Sequence, residues 1–138
     1  MVRIIDWDAQ FSVGIKEIDE QHQVLVEILD DLYNAMLKAK GKEVAQETLD
    51  RLFAYTRSHF ATEERLFKKY CYPEEQEHKA EHDGMLNRLN KFQRDFKDGK
   101  LISVDLMLFL KEWFVNHLQT TDHRYIDFFR EKGVADLP

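Results

Sequence analysis

The chain has 138 residues, 43% of them hydrophobic, enough for one buried core and short for two domains. Ten Phe stand against 5 Gly and 2 Pro, too few turn residues for a many-stranded sandwich or barrel. A net charge of −6 lacks the basic footprint that nucleic acid or an anionic membrane requires, so neither is an expected partner.

The opening "MVRIIDWDAQ" has no signal-peptide pattern, and no apolar run approaches the roughly 18 residues of a membrane span. With the single cysteine, Cys71, unable to form an internal disulfide, a cytoplasmic domain is expected. Residues 1–18 carry Trp7, Phe11, Val13, Gly14 and Ile15 and read as an extended arm packed over a helical body.

A first helix is predicted from Asp19, as N-cap, to about Lys40, with Ile18, His22, Leu25, Leu29, Leu32 and Met36 on one face. Gly41 closes it by taking the left-handed conformation. The second runs from about Glu43 to Tyr70 with Leu49, Leu52, Thr56, His59, Glu63 and Leu66 in its stripe. Pro73 supplies the next break. A third helix to about Asp98 carries His78, His82, Met85, Leu89, Phe92 and Phe96, and Gly99 ends it. The fourth, capped by Ser103 and ending before Gly133, turns Leu106, Leu110, Trp113, His117, Tyr125 and Phe128 inward. The expected architecture is all-α: an up-down-up-down four-helix bundle over 19–133, with an N-terminal arm, in one domain spanning 1–138.

The stripes contain residues that an apolar core would not choose. Five of the six histidines lie in them, and His59 with Glu63 and His78 with His82 are i,i+4 pairs, one turn apart on one face. A single histidine on an apolar face is usually a hydrogen-bonded core residue. Glu63 is different, because a buried carboxylate costs several kcal/mol unless it meets a cation or donors, and no stripe offers Lys or Arg.

A metal accounts for the set, since imidazole and carboxylate together suit iron, zinc, manganese or copper. A structural zinc site closes at four ligands and commonly uses Cys, whereas six or more candidates converge here. Two ions sharing a carboxylate is the economical reading. Asp122 would be a second bridging carboxylate, five residues after His117. At ~100° per residue this spacing diverges by ~140° on an ideal helix, so an irregular, π-type widening is predicted between Leu118 and Asp122. His123 turns outward.

In order these residues read His22 in "DEQH", His59 and Glu63 in "HFATE", His78 and His82 in "HKAEH", and His117 and Asp122 in "HLQTTD". The pattern resembles that of the hemerythrins, specifically the bacterial ones, from Trp7 and "VGI" in the arm to Tyr125. The resemblance implies a non-haem centre of two iron ions with an oxo or hydroxo bridge. His78, His82 and His117 would hold a coordinatively full iron and His22 and His59 an open one, with Glu63 and Asp122 bridging. Dioxygen would bind at the open iron. Apolar walls should then slow irreversible oxidation, and the candidates are Phe60, Trp113, Phe114 and Leu118. Family members often have a smaller aliphatic residue in place of Phe114.

Reversible dioxygen binding by a carrier, store or delivery protein is the leading expectation, without enzymatic turnover. A monomer is expected, serving a redox or oxygen-consuming partner that the sequence does not name. An oxygen- or redox-sensing domain ranks below it, since these residues hold no output domain. A di-iron enzyme acting on peroxide or nitric oxide also ranks lower, because neither a dedicated proton donor nor a redox cysteine pair is visible.

Overall fold

The computed structural model describes residues 15–117 and 124–133. The arm expected over residues 1–18 lies almost wholly outside them. Five helices are described: α1 (Lys16–Leu37), α2 (Gly41–Tyr70), α3 (Glu75–Lys97), α4 (Ser103–Asn116) and α5 (Arg124–Glu131), and there is no strand among the described residues. Neither is any of these helices long and apolar enough to cross a membrane.

α1 starts one turn earlier than its sequence suggested. Ile15 is the N-cap, in extended conformation and without a side-chain cap. Asp19 lies inside the helix and donates its amide to the Ile15 carbonyl at 2.9 Å. With Glu17 it places negative charge in the first turn, where the helix dipole favours it.

The turn from α1 to α2 assigns the punctuation differently from the expectation. Lys40 donates to the Ala35 carbonyl at 2.7 Å and Ala39 to that of Met36 at 3.0 Å, the paired bonds of a Schellman cap. That motif requires a left-handed residue at Ala39, which has φ 58°. Gly41 is instead the first residue of α2, and it is buried. A Cβ there would meet Met36 Cγ and Ser103 Oγ at 3.0 Å and Ser103 Cβ at 3.1 Å. Its glycine lets three helix ends meet. Gly41→Val should therefore cost roughly 1–3 kcal/mol of stability through overpacking, measurable as a lower urea midpoint with an unchanged slope.

Gly99, at φ 83°, does close α3 as expected. α2 ends at Cys71, left-handed at φ 54°, so the chain has turned before it reaches Pro73. Ser103, expected as the cap, is the first residue of α4; Ile102 takes the cap position and makes no side-chain capping bond. The predicted fourth helix is described in two stretches, α4 and α5, separated by residues 118–123.

α1 packs against α2 and α4, and α2 against α3. One layer of the core holds Leu25, Leu29, Leu49, Leu52, Leu89 and Leu106, all buried. α5 closes the other end through rings: Phe67 lies 5.5 Å from Tyr125 and 6.0 Å from Phe129 by ring centroid, and Tyr72 lies 6.1 Å from Tyr125. Between these two apolar zones the stripe residues turn polar.

Candidate metal centre

Each helix delivers its polar residues by helical periodicity alone. α1 brings His22, α2 brings His59 and Glu63 one turn apart, and α3 brings His78 and His82 one turn apart. His117 follows directly on the last turn of α4. All six are at most 4% exposed. The structure therefore collects six of the seven residues expected to ligate metal. Asp122, like Leu118 and the outward-facing assignment of His123, falls outside the described residues. So does the π-type widening expected there; the amide of His117 itself makes ordinary helical bonds, to the Trp113 and Phe114 carbonyls.

Glu63 is the hub. Its Oε1 lies 3.0 Å from His59 Nε2, 3.2 Å from His78 Nε2 and 3.0 Å from His82 Nε2. The approach of His82 lacks the alignment of a hydrogen bond. His59 Nε2 is also 3.2 Å from His22 Nε2. The ligand atoms of Glu63, His78, His82 and His117 all lie within 4.8 Å of one another. Burial alone would push the Glu63 carboxyl up, but the charge and hydrogen bonds of His59 and His78 outweigh it and hold it well below the usual carboxylate range. Burial has the opposite consequence for His82. It drives the imidazole below its ordinary value of 6.5, with Glu63 opposing.

This donor set fits a metal. Glu63 Oε2 is buried and has no hydrogen-bond partner among the described residues. Leaving such an oxygen unpaired costs about 1–3 kcal/mol, more when charged, so the arrangement is anomalous as a core and ordinary as a coordination site. Neutral imidazole nitrogens and a carboxylate oxygen suit a divalent transition metal.

Aromatic rings back the imidazoles from outside. Phe60 stacks on His82 at 3.7 Å between centroids and 7° between planes, Trp113 on His117 at 4.2 Å and 14°, and Tyr55 on His59 at 5.3 Å and 12°. Phe67 meets His78 edge-on at 4.8 Å. Phe60 and Trp113, singled out in the sequence as pocket walls, thus lean on His82 and His117. Phe114 is 1% exposed and belongs to the core.

Polar groups behind the imidazoles were not evident from the sequence. Gln21 Oε1 lies 2.7 Å from His59 Nδ1, and Gln21 Nε2 donates to Thr62 Oγ1 at 3.0 Å. On the other side Glu81 Oε2 is 3.6 Å from His117 Nδ1. A groove lined by Glu81, Gly84, Arg88 and Trp113 among others reaches His117 from solvent. Gln21 adjoins His22 in sequence, but its contact is with the neighbouring helix, and only the packing of α1 on α2 reveals it.

Known proteins resemble this chain in sequence and fold. The family profile for the hemerythrin HHE cation binding domain matches residues 13–129. A bacteriohemerythrin of Stenotrophomonas maltophilia (strain R551-3) is 33% identical over 124 residues, covering 90% of this chain and 80% of that protein. A bacteriohemerythrin of Methylococcus capsulatus is 28% identical over 124 residues, covering 88% and 94%. The crystal structure of a wild-type hemerythrin superposes with a TM-score of 0.81 at 27% identity, over 90% of this chain and 96% of that one. A four-helix bundle with a histidine and glutamate cluster at its centre, matched over most of its length by the family profile, places this chain in the hemerythrin family.

Proposed function

We propose that this chain binds dioxygen reversibly at a pair of iron ions, as a carrier, store or delivery protein and without catalytic turnover. The observation that supports it most is a buried cluster in which His59, His78 and His82 meet Glu63, His117 lies beside them and His22 joins through His59, while the second carboxylate oxygen of Glu63 has no partner among the described residues. By the family resemblance His22 and His59 hold one ion, His78, His82 and His117 hold the other, and Glu63 and Asp122 span both. The ions, when bound, supply the two electrons that oxygen takes on binding and returns on leaving.

The residues set the conditions for that return. Five neutral imidazoles and two carboxylates add little negative charge, which favours the ferrous state over what a carboxylate-rich site would hold. Glu63 is 0% exposed, and the rings stacked on His82, His117 and His59 each cover one face of these imidazoles. A dry surround denies the proton and water that would carry reduced oxygen away and strand the iron oxidised. Phe60, Trp113, Phe114 and Leu118 are the side chains proposed to build it.

The test is to reduce the iron-loaded protein anaerobically, admit oxygen, then remove it while recording the visible spectrum. An oxygen-dependent band that appears and vanishes over several cycles is expected. One-way conversion to the ferric form would contradict reversible binding and favour catalysis or redox sensing.

A further inference from the structure

We infer that Gln21 is a positioning residue for the metal centre: with Thr62 behind it, Gln21 fixes His59 in the tautomer that presents a bare Nε2 to the ion. The inference rests on the reading of His59 as a metal ligand. It does not depend on oxygen binding.

A chain of hydrogen bonds joins α1 to α2 at this point. Gln21 Oε1 is 2.7 Å from His59 Nδ1, Gln21 Nε2 is 3.0 Å from Thr62 Oγ1, and Thr62 Oγ1 is 3.0 Å from the Ser58 carbonyl. The far end sets the polarity. A carbonyl only accepts, so the single hydroxyl proton of Thr62 goes to Ser58 and its oxygen is left to accept. Glu17 Oε1, 3.5 Å from the same hydroxyl, accepts only as well and leaves the polarity unchanged. The Gln21 amide must therefore turn its NH2 toward Thr62 and its oxygen toward His59. That oxygen needs a donor, so Nδ1 carries a proton; in the metal-free centre Nε2 also donates to Glu63, and in the neutral imidazole that an ion takes it is Nε2 that carries the lone pair.

The lone pair then faces inward. His59 Nε2 is the nitrogen that lies 3.2 Å from His22 Nε2 and 3.0 Å from Glu63 Oε1, in the volume where the ion would sit. His59 and Thr62 are buried and Gln21 is half-buried, so water competes poorly for these bonds. An outer partner of this kind orients the ring and raises its basicity, and removing one typically weakens metal binding by roughly 10–100-fold.

The choice of an amide also matters. A carboxylate in its place would accept the same proton while lending negative charge to the imidazole, which favours the ferric ion. Gln21 gives the orientation without that charge.

The experiment compares the iron-loaded full chain with Gln21→Leu, Gln21→Glu and Thr62→Val, with His59→Ala as control. Two quantities are read under anaerobic conditions: the rate of iron loss to excess ferrous chelator and the midpoint potential. Gln21→Leu should lose one of its ions roughly 10–100-fold faster than the wild type, and Thr62→Val should fall between the two. Gln21→Glu should retain its iron and show a lower midpoint potential, a shift that a purely structural glutamine would not produce. Release from Gln21→Leu within about twofold of the wild type, with an unchanged potential in Gln21→Glu, would overturn the inference. If Gln21→Leu loses helicity, Gln21→Glu and Thr62→Val decide it by the same criteria. His59→Ala separates the levels of failure. Loss of iron there with Gln21→Leu unaffected refutes the positioning role alone, whereas both irons retained in His59→Ala refutes the ligand assignment beneath it.

Discussion

Stripping the metal with a chelator is expected to lower the thermal midpoint by roughly 10 °C or more. Each ion held at about a hundredfold over its dissociation constant adds about 2.7 kcal/mol to the folded state, and two of them shift the melting of a chain this size by that order. The structural reason is the state of Glu63 without metal: three imidazoles crowd one oxygen, and the other oxygen is buried with no partner among the described residues. Calorimetry before and after chelation, with metal restored as control, measures the effect. Equal midpoints in the two states would contradict it.

The metal-free protein should also weaken in acid, in two stages. His82 has its folded pKa lowered below 6.5 and Glu63 below 4.5, so in each window the unfolded chain binds more protons than the folded one. Stability from both groups is therefore fully present above the unfolded values and lost as pH falls. The decline should begin near pH 6.5 with His82 and deepen below 4.5 with Glu63. In the loaded protein protons compete with the ion for the same nitrogens, so acid should release metal over this range too.

Replacing Glu63 by alanine should remove at least one of the two ions. His59 and Glu63 stand one turn apart on α2, while His78 and His82 reach the same carboxylate from α3, which is the position of a group shared between two ligand sets. Truncation deletes the charge and leaves the imidazoles without their common anchor. Glu63→Gln preserves the shape and distinguishes loss of metal from loss of fold: it should keep native helicity when metal-free yet fail to hold two ions. Metal analysis and the visible spectrum decide the matter. A Glu63→Ala protein with two irons and an unchanged spectrum would refute the bridging role.

The legible part of this molecule was whatever repeats every three to four residues. His22, His59, Glu63, His78, His82 and His117 could be placed inward because Leu25, Leu52, Leu66, Met85, Leu89 and Leu110 mark the same faces, and all are buried. Helix boundaries were less legible, because a glycine has two uses. Gly99 supplies a left-handed residue, as expected, whereas Gly41 supplies clearance and leaves the left-handed position to Ala39. Asp19 and Ser103 have the chemistry of N-caps, yet Ile15 and Ile102 take those places and neither helix start has a side-chain cap.

The outer partners of the imidazoles were not legible at all. Gln21 touches His59 and Phe60 covers His82 because of the distances between helices, which no spacing along one helix encodes. The same limit kept from view that Phe60 and Trp113, singled out in the sequence as pocket walls, each lie flat against an imidazole.

If the polar heart of this bundle holds two iron ions, metal content must show it. Elemental analysis of the full chain, purified after growth with iron and assayed for iron and zinc together, decides the question. Two irons per chain, falling to one or none in Glu63→Ala, is the expected result. One zinc per chain, or an iron content that Glu63→Ala leaves unchanged, would contradict it.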